Sequence, residues 1–367
     1  MLAEELMGAH GFSGESALLY HRHSPSAIVA ADAMPDDRPH TIATPPVLPQ
    51  HYVTGKLPSG GDLVTGRHVL LRNDDVVVSY AHATETSALS RNAVGDELIY
   101  VQRGDAVLET TFGALDVHTG DYVVVPASTT HRWCVDGPIE ALVLEATGHV
   151  TVPTKFLSAE GQLLEHAPFC ERDVRAPSAP LLADGDDAHT TGVEVNVRHR
   201  QGCTRYVYAH HPFDVVGWDG HLYPYALSIR DFEPIVGSLH QPPPVHQTFA
   251  GPNFVVCSFV PRPFDFHPDA IKVPYHHANV DSDEVLFYSD GDFMSRAGSG
   301  IGVGSISYHP AGFVHGPQPG SVERAADVDR TEETAVMLDT FRPLFPTDVA
   351  VGIADAEYPW TWAQPPS

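Results

Sequence analysis

Two short clusters near the end of this chain carry the residue types from which a metal centre is made. The first, Tyr275-His276-His277-Ala278-Asn279-Val280-Asp281-Ser282-Asp283-Glu284, closes on a carboxylate. The second, His309-Pro310-Ala311-Gly312-Phe313-Val314-His315, brings two further imidazoles. A glycine-rich link joins them, so a hairpin-like segment can bring the clusters together. Two imidazoles and one carboxylate are the donor set of a facial iron site, which holds Fe(II) on one side and leaves the other for substrate and O2. Oxygen chemistry is the leading expectation. His276 and His277 are adjacent, and neighbours on a strand point to opposite faces, so only one of them can face a metal.

The elements that must position these residues are short. Long helical periodicity is hard to find, and 32 prolines and 30 glycines are spread through the chain. Apolar or alternating runs recur at His68–Leu71, Val76–Ala81, Leu98–Val101, Ala106–Thr110, Tyr122–Val125 and Glu140–Leu144. Turn signals such as Arg103-Gly104-Asp105 and Thr119-Gly120-Asp121 separate them. A second set follows at Gly192–Val197, Tyr206–Tyr208, Phe254–Val260, Glu284–Tyr288, Ser305–Tyr308 and Thr334–Asp339. Many short strands at regular spacing predict a mainly β protein, a sandwich or barrel of antiparallel sheet. The division expected is an arm over 1–60, a first half over 61–171, an exposed linker over 172–191, a second half over 192–345 and a docked or frayed tail over 346–367.

Composition narrows the partners. The 367 residues include 21 Lys and Arg against 47 Asp and Glu, a formal charge of −26. A surface this negative repels phosphate backbones and anionic lipid, which argues against nucleic acid and membrane partners. A salt-rich cell interior would favour the same composition. No apolar run reaches the roughly 18 residues that span a bilayer, and the acidic start Met1-Leu2-Ala3-Glu4-Glu5 lacks a signal pattern. Cys134, Cys170, Cys203 and Cys257 are widely spaced, as in reduced thiols of a cytoplasmic protein. With 23 histidines in the chain, most imidazoles must be structural, so spacing has to support any assignment.

Both halves carry the jelly-roll pattern of the cupin superfamily, which makes the expected fold a bicupin. In the first half, Gly95-Asp96-Glu97 and Gly120 to His131 follow the two cupin motifs, but Asn92 and Ala93 stand where paired histidines belong. Glu97 and His131 are therefore expected to be structural remnants and this half metal-free. The second half keeps its ligands: His277 lies seven residues before Glu284, and Pro310-x-Gly312-x-x-His315 closes the motif.

The resemblance then becomes specific. Leu6 to His23, Leu239-His-Gln-Pro-Pro-Pro-Val-His-Gln-Thr-Phe249, Asn279 to Tyr288, Phe293-Met-Ser-Arg296 and His315-Gly-Pro317 resemble the homogentisate 1,2-dioxygenase family in its shorter bacterial form. The resemblance implies a non-haem Fe(II) enzyme that opens the ring of homogentisate with O2 to give maleylacetoacetate, in tyrosine and phenylalanine catabolism. It also implies a homo-oligomer, a trimer or hexamer.

Carried over by motif, the iron ligands are His277, Glu284 and His315, with His277 preferred over His276. Deprotonating the substrate phenol needs a base, and His240 and His246 flank a stiff proline run that could hold either; His246 is preferred. The resemblance puts His309 near the substrate, against a ring hydroxyl. Arg296 stands where longer members carry Lys, and a guanidinium suits a carboxylate. Phe293 replaces a Tyr of those members, so Tyr288 is the substitute for the missing hydroxyl. The His-to-Glu interval is one residue longer than theirs, which predicts a local bulge. His21 and His23 of the arm, in Tyr20-His-Arg-His23, are expected to be structural or to lie at a subunit contact. The competing functions are a relative acting on another hydroxylated aromatic, a metal-dependent cupin isomerase, or a non-enzymatic bicupin.

Overall fold

The computed structural model describes residues 1–35, 39–183 and 191–363. The protein is mainly β, a bicupin built on three stacked sheets. The middle sheet has eight strands, in the order Val174–Arg175, Tyr225–Ser228, Asp121–Val125, Glu97–Arg103, Ile139–Ala146, Val76–Ala83, His68–Arg72 and Phe345–Pro346. Its side chains alternate into two cores. Ile99, Val101, Val123, Val125, Ala141 and Val143 meet Leu108, Leu115, Val117 and Trp133 of a seven-stranded sheet. Leu98, Tyr100, Tyr122, Val124, Leu142 and Leu144 meet Phe249, Val256, Val285, Phe287, Ile306 and Leu338 of a six-stranded sheet.

This double covering explains a sequence feature. Asp121–Val125 is buried at every position, so it is apolar nearly throughout, as strands covered on both faces are. By contrast Gly113–Val117, in the outer seven-stranded sheet, alternates buried and exposed, with Ala114 and Asp116 facing outward. Phe287 sits between the layers with its ring near Tyr80 and Tyr100, and truncating so buried a ring costs about 3–5 kcal/mol. Hydrogen bonds cross the same interface, from Tyr100 to Ser289 and Tyr122 to Ser258, each at 2.8 Å.

The sheets cut across the expected divisions. Val193–His199 and Gly202–Tyr208, read as the opening of the second half, extend the seven-stranded sheet of the first; Val193–His199 runs parallel to Ser90–Asn92. The arm reaches into both halves. Ile28–Met34 edges the seven-stranded sheet, and Gln50–Val53 edges the six-stranded one. The hairpin Ala3–Gly8 and Ser16–His21 pairs with Val215–Gly220. Within the expected linker Val174–Arg175 joins the middle sheet, and residues 184–190 lie outside the described residues. Of the tail, Asp348–Ile353 is a short helix and Tyr358–Ala363 a 3-10 segment with Tyr358 fully buried; 364–367 lie outside the described residues. Among the described residues no helix is long and apolar enough to cross a membrane.

In the first half, Glu97 and His131 are buried, and a cation of the chain itself lies between the acids Glu97 and Glu145. Arg67 bridges Glu97 at 2.7 Å and Glu145 at 2.5 Å. His131 donates Nδ1–H to the Thr129 carbonyl and leaves Nε2 buried without a partner.

Candidate metal centre

The six-stranded sheet runs Gln247–Gly251, Phe254–Phe259, Thr334–Thr340, Asp283–Asp290, Ser305–His309 and Gln50–Val53. Along Asp283–Asp290, Val285 and Phe287 enter the interlayer core, so the alternation sends Glu284, Leu286 and Tyr288 to the opposite face. That face is the floor of a cavity of about 230 Å³. The neighbouring strand adds Asp339, Met337 and Ala335, directly opposite Glu284, Leu286 and Tyr288. Irregular segments supply the walls, with Ile235, His240 and His246 from one and Arg262, Lys272 and Tyr275 from the next. Taking ~30 Å³ per water, the space suits one substituted ring.

His277 does not share a strand with Glu284. It forms an isolated antiparallel bridge with His315, so residues 278–282 span the interval as a loop. The extra residue is absorbed there, and no bulge is needed. The bridge closes because residue 316 is glycine: a Cβ there would lie 2.6 Å from the His276 ring and 2.8 Å from its Cα. Asp283 fixes the other end by accepting from the Ala311 amide at 2.8 Å and the Tyr308 hydroxyl at 3.0 Å.

The ring nitrogens are assigned by what they touch. His277 Nδ1 lies 3.2 Å from the Tyr275 carbonyl, and His315 Nδ1 lies 3.1 Å from that of Phe313. A carbonyl only accepts, so each Nδ1 carries the hydrogen and each Nε2 keeps its lone pair. Those lone pairs point at Glu284, 3.6 Å and 3.2 Å from its oxygens. Ligand atoms of His277, Glu284 and His315 all lie within 4.8 Å of one another. Three such donors repel until a cation sits among them. Two neutral imidazoles and a carboxylate fit a divalent ion of borderline softness. Burial would raise the Glu284 pKa, but the imidazoles gathered at its oxygens, with His309 donating from Nδ1, outweigh it and hold the carboxyl well below its usual range.

His309 is placed behind this triad, away from the cavity. Its side chain is fully buried, with Nδ1 3.0 Å from Glu284 Oε1 and Nε2 3.0 Å from the Tyr358 hydroxyl. Both nitrogens are taken, so the expected contact with a ring hydroxyl has no atom left to make it. The cause is local: His309 ends its strand paired with Glu284, and the turn at Pro310–Gly312 separates it from His315.

Arg296 is buried in the cavity wall. Nε donates to Tyr288 at 2.9 Å and Nη1 to the Gly316 carbonyl at 2.6 Å. Among the described residues no carboxylate lies within ion-pair distance of it, although Arg262 in the same wall is paired with Glu333 at 3.1 Å. The Tyr288 hydroxyl is thus engaged by Arg296 and by Ser307 at 3.2 Å. Phe293 packs its ring on Tyr288 and is not part of the cavity lining.

His240 and His246 both line the cavity but in different states. His240 is partly exposed, with Nδ1 3.1 Å from Asp265. His246 is packed on Phe259 with Nδ1 buried and unpartnered, and burial, with Arg262 and His240 adding to it, pushes its pKa down to about 3. That is far below what the preferred base requires. Sequence reasoning missed Asp265, Tyr358 and Asp339. Asp339 accepts from Asn279 at 3.3 Å, and burial together with the Glu284 charge pushes its pKa up to about 7. A polar residue on the face of Ala335 and Met337 was a usable signal for Asp339; Asp265 and Tyr358 lie in irregular or tail sequence that gave none.

Residues 62–229 match the family model described as homogentisate 1,2-dioxygenase N-terminal. A protein of Saccharolobus solfataricus carrying the name "Putative dioxygenase" is 36% identical over 366 residues, which is 99% of this chain and 93% of that one. The chain belongs to the homogentisate 1,2-dioxygenase family. Homogentisate 1,2-dioxygenase of Emericella nidulans is 25% identical over 80% of this chain and 67% of its own length. That of Bradyrhizobium diazoefficiens is 26% identical over 72% and 59%. A cupin 2 conserved barrel domain protein from Leptotrichia buccalis covers 80% of this chain at 10% identity with a TM-score of 0.34. Membership of the homogentisate dioxygenase family makes this protein a cupin enzyme of the dioxygenase class. The span matched by the family's N-terminal model takes in Val193–Tyr208, in accord with the sheet those strands join.

Proposed function

We propose that the protein is an Fe(II)-dependent ring-cleaving dioxygenase that converts homogentisate and O2 to maleylacetoacetate. One observation carries the reading: two of the three convergent lone-pair donors, His277 and Glu284, line a ring-sized cavity together with a buried guanidinium that, among the described residues, has no carboxylate within ion-pair distance. His277, Glu284 and His315 would hold the metal. Bound there, Fe(II) supplies open coordination positions for a phenolate and O2 and the redox chemistry that joins them.

The other residues act on the ring. Arg296 takes the acetate arm of the substrate, which offsets the buried positive charge, and Tyr288 fixes the guanidinium from behind. His240 receives the phenol proton; Asp265 at Nδ1 sets its tautomer and leaves Nε2 as the base. Leu286, Met337 and Phe259 keep the ring face dry. Unpaired cysteines support a reducing, cytoplasmic setting.

The test is anaerobic loading with Fe(II), then oxygen uptake with homogentisate, gentisate and hydroquinone in parallel. One O2 consumed per homogentisate, with maleylacetoacetate absorbance, is the expected result. Turnover of another hydroxylated aromatic but not homogentisate would overturn the substrate, and no uptake with any would overturn the activity.

A further inference from the structure

We propose that Tyr358 and His309 form a relay that sets how tightly the site holds its metal, which makes the C-terminal segment part of the metal centre. The proposal rests on the metal-site reading of His277, Glu284 and His315 and adds two positioning residues to it.

A carboxylate can only accept, so the 3.0 Å contact between His309 Nδ1 and Glu284 Oε1 puts the hydrogen on Nδ1. Nε2 is then the acceptor, and the Tyr358 hydroxyl, 3.0 Å away, must be the donor. The chain of bonds therefore runs one way, from the Tyr358 O–H through the imidazole into the ligating carboxylate. His309 also stacks on the ligand His315, ring centroids 4.0 Å apart at 14°. One imidazole thus fixes the rotation of one ligand and the tilt of another. Partners of this kind around a metal commonly change its affinity by about 10–100-fold.

Tyr358 comes from a short 3-10 segment far along the chain, and it is fully buried. The segment is tied to the loop that follows His315. Trp362 donates to the Gly316 carbonyl at 3.1 Å, and Gln318 donates to Thr361 at 2.9 Å. Trp362 also rests edge-on against Tyr358, centroids 5.2 Å apart. The hydroxyl is the segment's one polar atom that reaches His309.

Chelator competition on full-length protein measures the Fe(II) dissociation constant for wild type, Tyr358→Phe, His309→Leu, the double variant and Thr361→Val. Phenylalanine keeps the ring and removes only the donor, so Tyr358→Phe should weaken Fe(II) binding about 10-fold, with the melting temperature of the metal-free protein little changed. In the His309→Leu background the same change should cost nothing more, because the relay is already cut. Thr361→Val removes the bond from Gln318 and the bond to the Tyr358 carbonyl but leaves the Tyr358 hydroxyl and His309 intact, and should bind as wild type does. Wild-type affinity in Tyr358→Phe overturns the relay, as does an equal loss in Thr361→Val or an additive double variant. Should His309→Leu fail to fold, Tyr358→Phe against Thr361→Val decides alone. Wild-type protein that takes up no Fe(II) overturns the metal reading and the relay with it.

Discussion

His277 and His315 hold each other in place: the amide of each donates to the carbonyl of the other, at 2.8 and 2.9 Å. Such a pair puts both side chains on one side of the bridge, and the two rings lie 4.4 Å apart. Alanine at either histidine, or glutamine at Glu284, is expected to weaken metal binding by more than about 100-fold, beyond the range for outer partners. Metal analysis after dialysis checks this; retention of one metal per chain by His277→Ala would sink the assignment. Gly316→Ala should open the bridge and weaken the metal without removing any ligand.

Arg296→Met should raise KM for homogentisate about 10–100-fold, the equivalent of a charge-assisted hydrogen bond of about 1.5–3 kcal/mol. Hydroquinone, which has no carboxylate, should lose far less. Steady-state kinetics on both substrates separate the two outcomes, and equal losses would remove Arg296 from the carboxylate.

His240→Gln should lower kcat about 100-fold or more with the metal retained. His246, held at about 3 by burial, stays neutral from pH 5 to 9, so His246→Gln should leave the shape of the pH–rate profile unchanged. A profile that loses its acid limb in His246→Gln would reverse the two roles.

His21 gives the fold a pH dependence away from the metal. Burial disfavours its charge, but bonds to Asp214 at 2.7 Å and Glu5 at 2.9 Å prevail and raise its pKa to about 9. A raised folded-state pKa stabilises fully below the unfolded value near 6.5 and is lost as pH rises through 9. Allowing for screening of the partly exposed Glu5, the loss between pH 6.5 and 10 should be about 1–2 kcal/mol. Urea titrations at both pH values measure it, and His21→Gln should flatten the difference.

Removing Arg67 leaves Glu97 buried without its paired cation, while Glu145 keeps Arg198. Arg67→Met is expected to cost about 3–5 kcal/mol, while wild type carries one metal per chain and not two. Two metals per chain would mean that the first half is a site after all.

The strands and the triad were legible in the sequence for physical reasons. Each run expected to be a strand is one, because apolar residues at strand spacing feed a packed core, the two interlayer cores for most and a separate cluster with Leu89 and Phe213 for Gly192–Val197 and Tyr206–Tyr208. Glu284 and His315 could be singled out because a motif fixes residue type and spacing, and the structure brings them together with His277. What stayed hidden depends on distant packing. Ile28–Met34 is apolar at every position but Asp32 yet exposed along nearly its whole length, so its residues show no alternation that would mark a sheet edge. His309 could be counted but not aimed, since the turn at Pro310–Gly312 breaks the strand register. The choice between His240 and His246 depends on Asp265 and on the depth of His246, neither of which spacing encodes.

The cavity's floor and walls differ in kind. Glu284, Tyr288 and Asp339 sit on strands whose other face is locked into the interlayer core, so a change there is felt through the whole molecule. His240, Arg262, Lys272 and Tyr275 lie on stretches with little or no sheet ladder to lose. What the pocket recognises can therefore be exchanged without disturbing the sheet that carries Glu284, and engineered libraries aimed at aromatic ligands belong on residues 235–246 and 262–275.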